Sequence, residues 1–276
     1  MPIREVRAPV TDTRSAMIYP WNLETVTYAD IEQLRYEVAV LPVGAIEPHG
    51  KHLPYGEDFF CATAIADRSC RSANEQGART IRLPAIPYGV DSNLLAFPFA
   101  MNVRQSTLNR VAADVMDSLV HHGVHKLVIF NGHGGNEFKS FLREHYGRPD
   151  IFVCLINWWT VGGDVGRELF THEDDHAGEM EASVSLHLFP DLVHLERAGD
   201  GSTRKTDFRA INEGWVQITR PWHLFTKDSN AGDARLATAE KGERYVRVSV
   251  ERIAQFLVEL SATPYDERFP YGTQFA

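Results

Sequence analysis

Cysteine is scarce. The chain of 276 residues has three, Cys61, Cys70 and Cys154, and no C-x-x-C pair. Without paired spacing, neither a disulfide framework nor a cysteine zinc site is expected, and the three read as thiols of a reducing compartment. No run of 18 apolar residues occurs, so no membrane-spanning helix is expected. Basic charge is also short: 28 Lys plus Arg stand against 37 Asp plus Glu, a formal net charge of −9. Nucleic acid and anionic membranes require a basic patch, so neither is an expected partner. The P-loop sequence, a G-x-G-x-x-G after the first strand and the nucleophile elbow G-x-S-x-G are all missing. Their absence argues against a nucleotide-binding loop, a dinucleotide fold and a Ser-His-Asp hydrolase. The opening stretch MPIREVRAPVTDTRSAMIYPW has no apolar core of secretory type, which makes the cytoplasm the expected location.

What is present is ordinary globular matter, 43% hydrophobic and 24% charged. Apolar runs at 38–43, 80–83, 126–130 and 151–156 read as strands. Between and after them, helical spacing predicts helices over 59–74, 106–122, 138–146 and 179–189, and a long last helix over 233–260. Ser106 is the expected N-cap of the second helix, whose stripe is Leu108, Val111, Ala112, Val115 and Leu119. Leu236, Val246, Val250, Ile253 and Leu257 are expected on the inner face of the last. Residues 1–20 read as an N-terminal arm, and 196–232 as an irregular segment that shapes a pocket or an intersubunit contact. Strands alternating with helices predict one α/β domain over 1–276, with a mainly parallel sheet between two helical layers, α/β/α. In such sheets ligands bind beyond the carboxyl ends of the strands.

Three loops carry chemistry. After the first strand, Glu47 and His49 stand two apart, so extended chain points them the same way, and Asp58 lies at the entry of the next helix. Glu, His and Asp together form a mixed oxygen and nitrogen set suited to Zn²⁺ or Mn²⁺. After the third strand, Asn131-Gly-His133-Gly134-Gly135-Asn136 leaves one imidazole on a loop nearly bare of side chains. The backbone N–H groups of Gly134 and Gly135 are candidates to hold a substrate oxyanion. The third loop, 172–181, formally contains H-E-x-x-H at His172 to His176, but Gly178 interrupts the helix a zinc protease needs. The better reading starts a helix near Ala177, leaves His176 as an acid or base, and aims Glu179 across the site. Glu181 is then a backing acid and His52 a backing imidazole. Trp158, Trp159, Trp215 and Trp222 are candidates to wall the pocket.

At these residues the chain resembles the creatininase (creatinine amidohydrolase) family. The matching segments are LPVGAIEPHGKHLPYGEDF (41–59), NGHGGN (131–136), HAGEMEAS (176–183) and GDARLATAEKGE (232–243). The resemblance implies a creatininase-like α/β/α domain, commonly a hexamer, with two divalent ions per chain, Zn²⁺ and/or Mn²⁺. It implies that Glu47 and His133 bind one ion, His49 the other, and that Asp58 bridges both. His176 falls on the family's catalytic histidine, and Trp158 falls near an aromatic residue that covers the substrate. Creatininases carry a metal-binding Glu two residues after the histidine of NGH. This chain has Gly135 there, so Glu179 is expected to supply that ligand, and the expectation turns away from creatinine itself. With Glu47, Asp58 and Glu179 as its carboxylates, two dications would leave the site net positive. The implied reaction is attack of metal-activated water on a carbonyl of a small polar cyclic amide. The alternatives are a formamide, a cyclic ketone or sugar-derived ring opened with the same metal pair, and a non-enzymatic metal- or ligand-binding protein.

Overall fold

The computed structural model describes residues 19–171 and 174–271. Of the expected arm, residues 1–18 lie outside the described residues, as do His172 and Glu173 of the H-E-x-x-H match. In chain order the elements are α1 (Tyr28–Ile31), β1 (Val38–Val43), α2 (Glu57–Glu75), β2 (Thr80–Arg82), α3 (Gln105–His121), β3 (Lys126–Asn131) and α4 (Lys139–Glu144). They continue with β4 (Phe152–Asn157), α5 (Trp158–Val161), α6 (Gly163–Leu169), α7 (Glu179–Leu188), α8 (Arg209–Asn212), α9 (Trp222–Phe225) and α10 (Ala239–Ala262).

The strands form one parallel sheet in the order β2-β1-β3-β4, with Ala39 opposite Leu127 and Leu127 opposite Val153. Alternation along β1 and β3 sends side chains to opposite faces. Val38, Val40, Val128 and Phe130 pack under α2, α7 and α10 through Ile65, Val184, Val246 and Leu257. Ala39, Leu41, Val43, Leu127 and Ile129 pack on the other side against Leu108, Ala112, Met116 and Leu119 of α3 and Phe141 of α4. The outcome is the expected α/β/α sandwich. Its strand order reverses at β1: the chain leaves β1 through α2 to β2, then passes back through α3 to β3 on the far side. Loops leaving the carboxyl ends of β1 and β3 therefore diverge to opposite faces and open a crevice between them.

Several local expectations are corrected. α3 begins at Gln105 after Arg104, and Ser106 makes no capping bond. Val111 is 41% exposed, outside the core stripe. The last helix is two pieces, a 3-10 turn at Ala234–Leu236 and then α10, capped by the Thr238 hydroxyl accepting from the Lys241 N–H. Leu236 sits on the turn, 47% exposed, and not on the inner face. Cys61 and Cys70 are buried on α2, and burial pushes the Cys70 and Cys154 thiols up to about 12, so neither is a nucleophile. Among the described residues no helix is long and apolar enough to cross a membrane.

Candidate metal centre and active site

Two glycines bring the strand ends together. A Cβ on Gly44, just past β1, would lie 2.5 Å from the Cα of Phe59, and one on Gly132, just past β3, 2.6 Å from the carbonyl oxygen of Asp58. Only glycine allows both loops to press on the first turn of α2. That turn carries Glu57 and Asp58, both buried, where the amino end of a helix favours negative charge.

Asp58 faces two imidazoles at once: Oδ2 lies 3.2 Å from Nδ1 of His133, and Oδ1 lies 3.5 Å from Nε2 of His49. Glu47 Oε1 is 3.1 Å from Nδ1 of His133, 3.7 Å from Nδ1 of His176 and 4.0 Å from Nε2 of His49. These side chains are almost fully buried. Their ligand-type atoms fall into three overlapping groups, each within 4.8 Å: Glu47, Asp58 and His133; His49, Glu57, Asp58 and Glu181; and Glu47, His49 and His176.

The outward nitrogens fix which ring atom carries the proton, because a carbonyl oxygen can only accept. His49 Nδ1 donates to the Glu47 carbonyl at 3.1 Å, and His176 Nε2 to the Pro48 carbonyl at 3.0 Å. His133 Nε2 donates to the Val90 carbonyl at 3.2 Å and lies 2.9 Å from Asp91 Oδ1. Each ring in its neutral form thus turns a bare nitrogen toward carboxylate oxygens. Lone pair against anion is repulsive unless a cation or a second proton lies between. Glu47 Oε2, Asp58 Oδ2 and His49 Nε2 are buried without a hydrogen-bond partner. A buried polar atom with no partner is costly, so the donor set fits divalent metal.

The charge balance shows the same pull. Burial alone would lower His49 and His133, yet Asp58 and Glu57 around the first, and Glu47, Asp58 and Asp91 around the second, hold both well above the ordinary value. Burial would raise Asp58, but His49 and His133 hold it below the usual carboxylate range. Burial, then mutual repulsion, pushes Glu57 up to about 8, and burial pushes Glu181 up to about 7. His176 lies below its ordinary value through burial and the neighbouring His49.

The expected residues are not all brought together. Glu47, His49, Asp58, His133 and His176 converge. Glu179 does not: at the start of α7 its Oε1 takes the Lys241 ammonium and its Oε2 the Thr171 N–H at 2.7 Å. The carboxylate beside His49 and Asp58 is that of Glu181, two residues on, so the assignment of the pair is exchanged. A helix turns about 100° per residue, so two positions carry a side chain to nearly the opposite face. Trp158 is also misplaced by the sequence reading. It is 1% exposed, edge-on to Tyr245 in the core, and its neighbour Trp159 lines the cavity. Trp215 is 71% exposed, away from the cavity, and Trp222 stands against His176 with ring centroids 4.9 Å apart. Gly134 and Gly135 line the cavity. A Cβ at Gly135 would lie 2.3 Å from His133 Nε2 and 2.4 Å from the Val90 carbonyl, so this loop has no room for a side chain there. His52 reaches the Ala177 carbonyl at 3.0 Å. From the other side the Ala177 N–H donates to Glu181 at 2.5 Å. Between them Ala177 is held at φ 51°, a left-handed conformation costly for alanine, next to His176.

Two acids escaped the sequence reading. Glu57 adjoins Asp58 and shows itself only through burial. Asp91 sits in a loop without regular structure, and nothing in its spacing ties it to His133. With them, five carboxylates surround the centre in place of the expected three, so two dications would not leave it net positive. The cavity measures about 330 Å³ and includes Glu47, Asp58, His133, His176, Trp159 and Trp222 in its lining.

The family model Creatininase (creatinine amidohydrolase) matches residues 24–257. The creatinine amidohydrolase of Pseudomonas putida is 29% identical over 80% of this chain and 89% of its own. The 3-dehydro-scyllo-inosose hydrolase of Thermotoga maritima is 27% identical over 90% of this chain and 85% of its own. The mycofactocin precursor peptide peptidase of Mycolicibacterium smegmatis is 26% identical over 82% and 86%. Among solved structures, a proposed creatinine amidohydrolase from Bacteroides fragilis matches with a TM-score of 0.84 and 36% identity, over 91% of this chain and 100% of that one. A manganese creatininase matches at 0.74 and 26%, over 88% and 99%, and a Zn–Zn form of a creatininase mutant at 0.72 and 25%, over 88% and 98%.

Proposed function

The chain belongs to the creatininase family of hydrolases, and from that premise we propose that it is a metal-dependent amidohydrolase using two divalent ions, Zn²⁺ and/or Mn²⁺, on a carbonyl of a small polar cyclic amide. The observation that carries the reading is the set of bare imidazole nitrogens turned on unpartnered, buried carboxylate oxygens. Glu47, Asp58 and His133 would hold one ion, and His49, Asp58 and Glu181 the other, with Glu57 beside them. When bound, such ions lower the pKa of water and polarise a carbonyl.

The rest falls to the chain's own groups. Asp58 would serve both, since its Oδ1 faces His49 and its Oδ2 faces His133. His176, neutral because burial and His49 lower its pKa, accepts a proton on Nδ1 facing the site and returns it to the departing nitrogen. Gly134 and Gly135 line the cavity, and their backbone N–H groups are the donors for the developing oxyanion. Trp159 and Trp222 exclude water from the cavity wall. A second reading keeps the ions but opens a cyclic ketone ring; the relationship to the Thermotoga hydrolase favours it. The proposal also carries a cytoplasmic homo-oligomer, as in the hexamers of the family, which light scattering tests.

The purified chain, assayed against lactams, formamides, cyclic ketones and lactones with and without a chelator, is expected to show turnover that chelation abolishes. A chain that binds metal but turns over none of them overturns the proposal.

A further inference from the structure

Charge on the cavity wall is lopsided. Glu47, Asp58, Asp174, Asp175 and Glu181 line it, and among the described residues Arg220 brings the only guanidinium or ammonium group. Arg220 comes from the irregular segment 196–232 and is held in a fixed plane. Its guanidinium carbon lies 5.3 Å from the ring centroid of Trp222 and 4.7 Å from that of Phe225. Its Nη1 donates to Asp175 Oδ2, and its Nη2 to Asp175 Oδ1 at 3.2 Å.

That pair is a carboxylate docked two-pronged on an arginine fork, one residue from His176. Both partners are well exposed, 42% for Arg220 and 45% for Asp175. An ion pair so wetted holds weakly, so a second carboxylate can take Asp175's place. The fork is also correctly placed for a substrate. His49 and His176 rings lie 4.3 Å apart and His176 and Trp222 rings 4.9 Å apart. Arg220 stands over the same Trp222 ring that meets His176 edge to face, so one indole touches both the guanidinium and the imidazole that moves the proton.

We propose that Arg220 is the specificity-determining residue of this site. It receives a carboxylate borne by the substrate a few bonds from the scissile carbonyl, displacing Asp175, so the substrates are small amides that carry an acid group. This rests on the hydrolase reading above and names its substrate class. A planar fork matches a carboxylate in shape and charge and gives a neutral amide no equivalent partner. The cavity, about 330 Å³, is of small-molecule size.

The test compares matched acid and amide probes. Succinamate and succinamide are titrated into the metal-free chain, read by calorimetry and by the fluorescence of Trp222 beside the fork. Succinamate is expected to bind at least about tenfold tighter, the order of one charge-assisted fork contact. Arg220→Met brings the two affinities together, Arg220→Lys keeps part of the gap, and Asp175→Asn, which vacates the fork, tightens succinamate severalfold. Equal binding of the two probes to the wild-type chain, or a gap that survives Arg220→Met, overturns the proposal. Turnover of 5-oxoproline against 2-pyrrolidinone by the Mn²⁺-loaded chain keeps it separate from the parent reading. Turnover without preference for the acid sinks the role of Arg220 and leaves the hydrolase. Acid-selective binding with no chelator-sensitive turnover of any probe supports Arg220 and sinks the hydrolase.

Discussion

Glu47 precedes a proline, and the ring of Pro48 pushes the residue before it toward extended backbone. That aims the Glu47 and His49 side chains the same way. Pro48 then works through its carbonyl, which accepts from both His176 Nε2 and the Ser229 hydroxyl, each at 3.0 Å. The sequence shows the pair at 47 and 49, but nothing in it says that residue 176 docks on residue 48. Asp91 is the clearest case of a residue whose work depends on such docking. It orients His133 from behind without facing the expected ions, so Asp91→Asn should leave the fold intact and cost about 10–100-fold in metal affinity or activity, as losses of this kind do. Equilibrium dialysis with elemental analysis checks it, and unchanged affinity would assign Asp91 a purely structural role. Glu179 and Glu181 separate by opposite behaviour. Glu181→Gln should lower metal occupancy. Glu179→Gln breaks the buried partnership with Lys241 and should cost about 1–3 kcal/mol in urea unfolding, with metal content kept. The reverse result would restore Glu179 as the ligand.

At the level of elements, β1, β3 and α2 were legible because each has a strong local signal: six buried residues in a row for each strand, and apolar residues at helical spacing closed by Gly77 for the helix. The convergence of three loops was legible in kind, since strand ends are where parallel sheets bind ligands. What the sequence hides is the facing of residues just inside a helix. A helix started near Ala177 on spacing alone rotates Glu179 and Glu181 the wrong way, because Ala177 in fact takes a left-handed turn and α7 begins only at Glu179. Residues 84–104 hold Asp91 without a helical or strand period, so their fold comes from packing alone. Gly132 tests how elements position the site. A methyl there must push the β3 loop off α2, with Asp58 O at 2.6 Å and the Ala62 Cβ at 2.8 Å. Gly132→Ala should therefore destabilise the chain by about 1–3 kcal/mol, the usual cost of overpacking, and lose metal binding in proportion to His133's displacement. A variant of wild-type stability and metal content would show that the close approach is slack.

Over the whole molecule, burying so many ionisable groups in one crevice links stability to pH. In the metal-free chain Glu57 and Glu181 sit above their ordinary value of 4.5, at about 8 and about 7. The folded chain therefore keeps protons that the unfolded chain has shed. That contribution is complete below pH 4.5 and is lost as the pH climbs through 7 and 8. His49 and His133, raised above 6.5, act in the same direction, their share being lost at still higher pH. His52 and His176, both lowered, oppose it: their share is present above 6.5 and lost as the pH falls. Asp58, held low by His49 and His133, matters only on acidification below its ordinary 3.8. Under the proposed reading, a metal ion held by these residues would displace the protons on His49, His133, Glu57 and Glu181, so binding and deprotonation would be one equilibrium. Calorimetry of Mn²⁺ binding near neutral pH, in two buffers of different ionisation enthalpy, should show release of about one or more protons per chain. The rise in thermal midpoint on adding saturating Mn²⁺ should then be larger at about pH 8 than at about pH 6, because at the higher pH the ions replace protons the folded chain has begun to lose. Binding without proton release, with a thermal gain equal at both pH values, would mean that the cation lands away from these residues, and the metal centre would have to be sought elsewhere in the molecule.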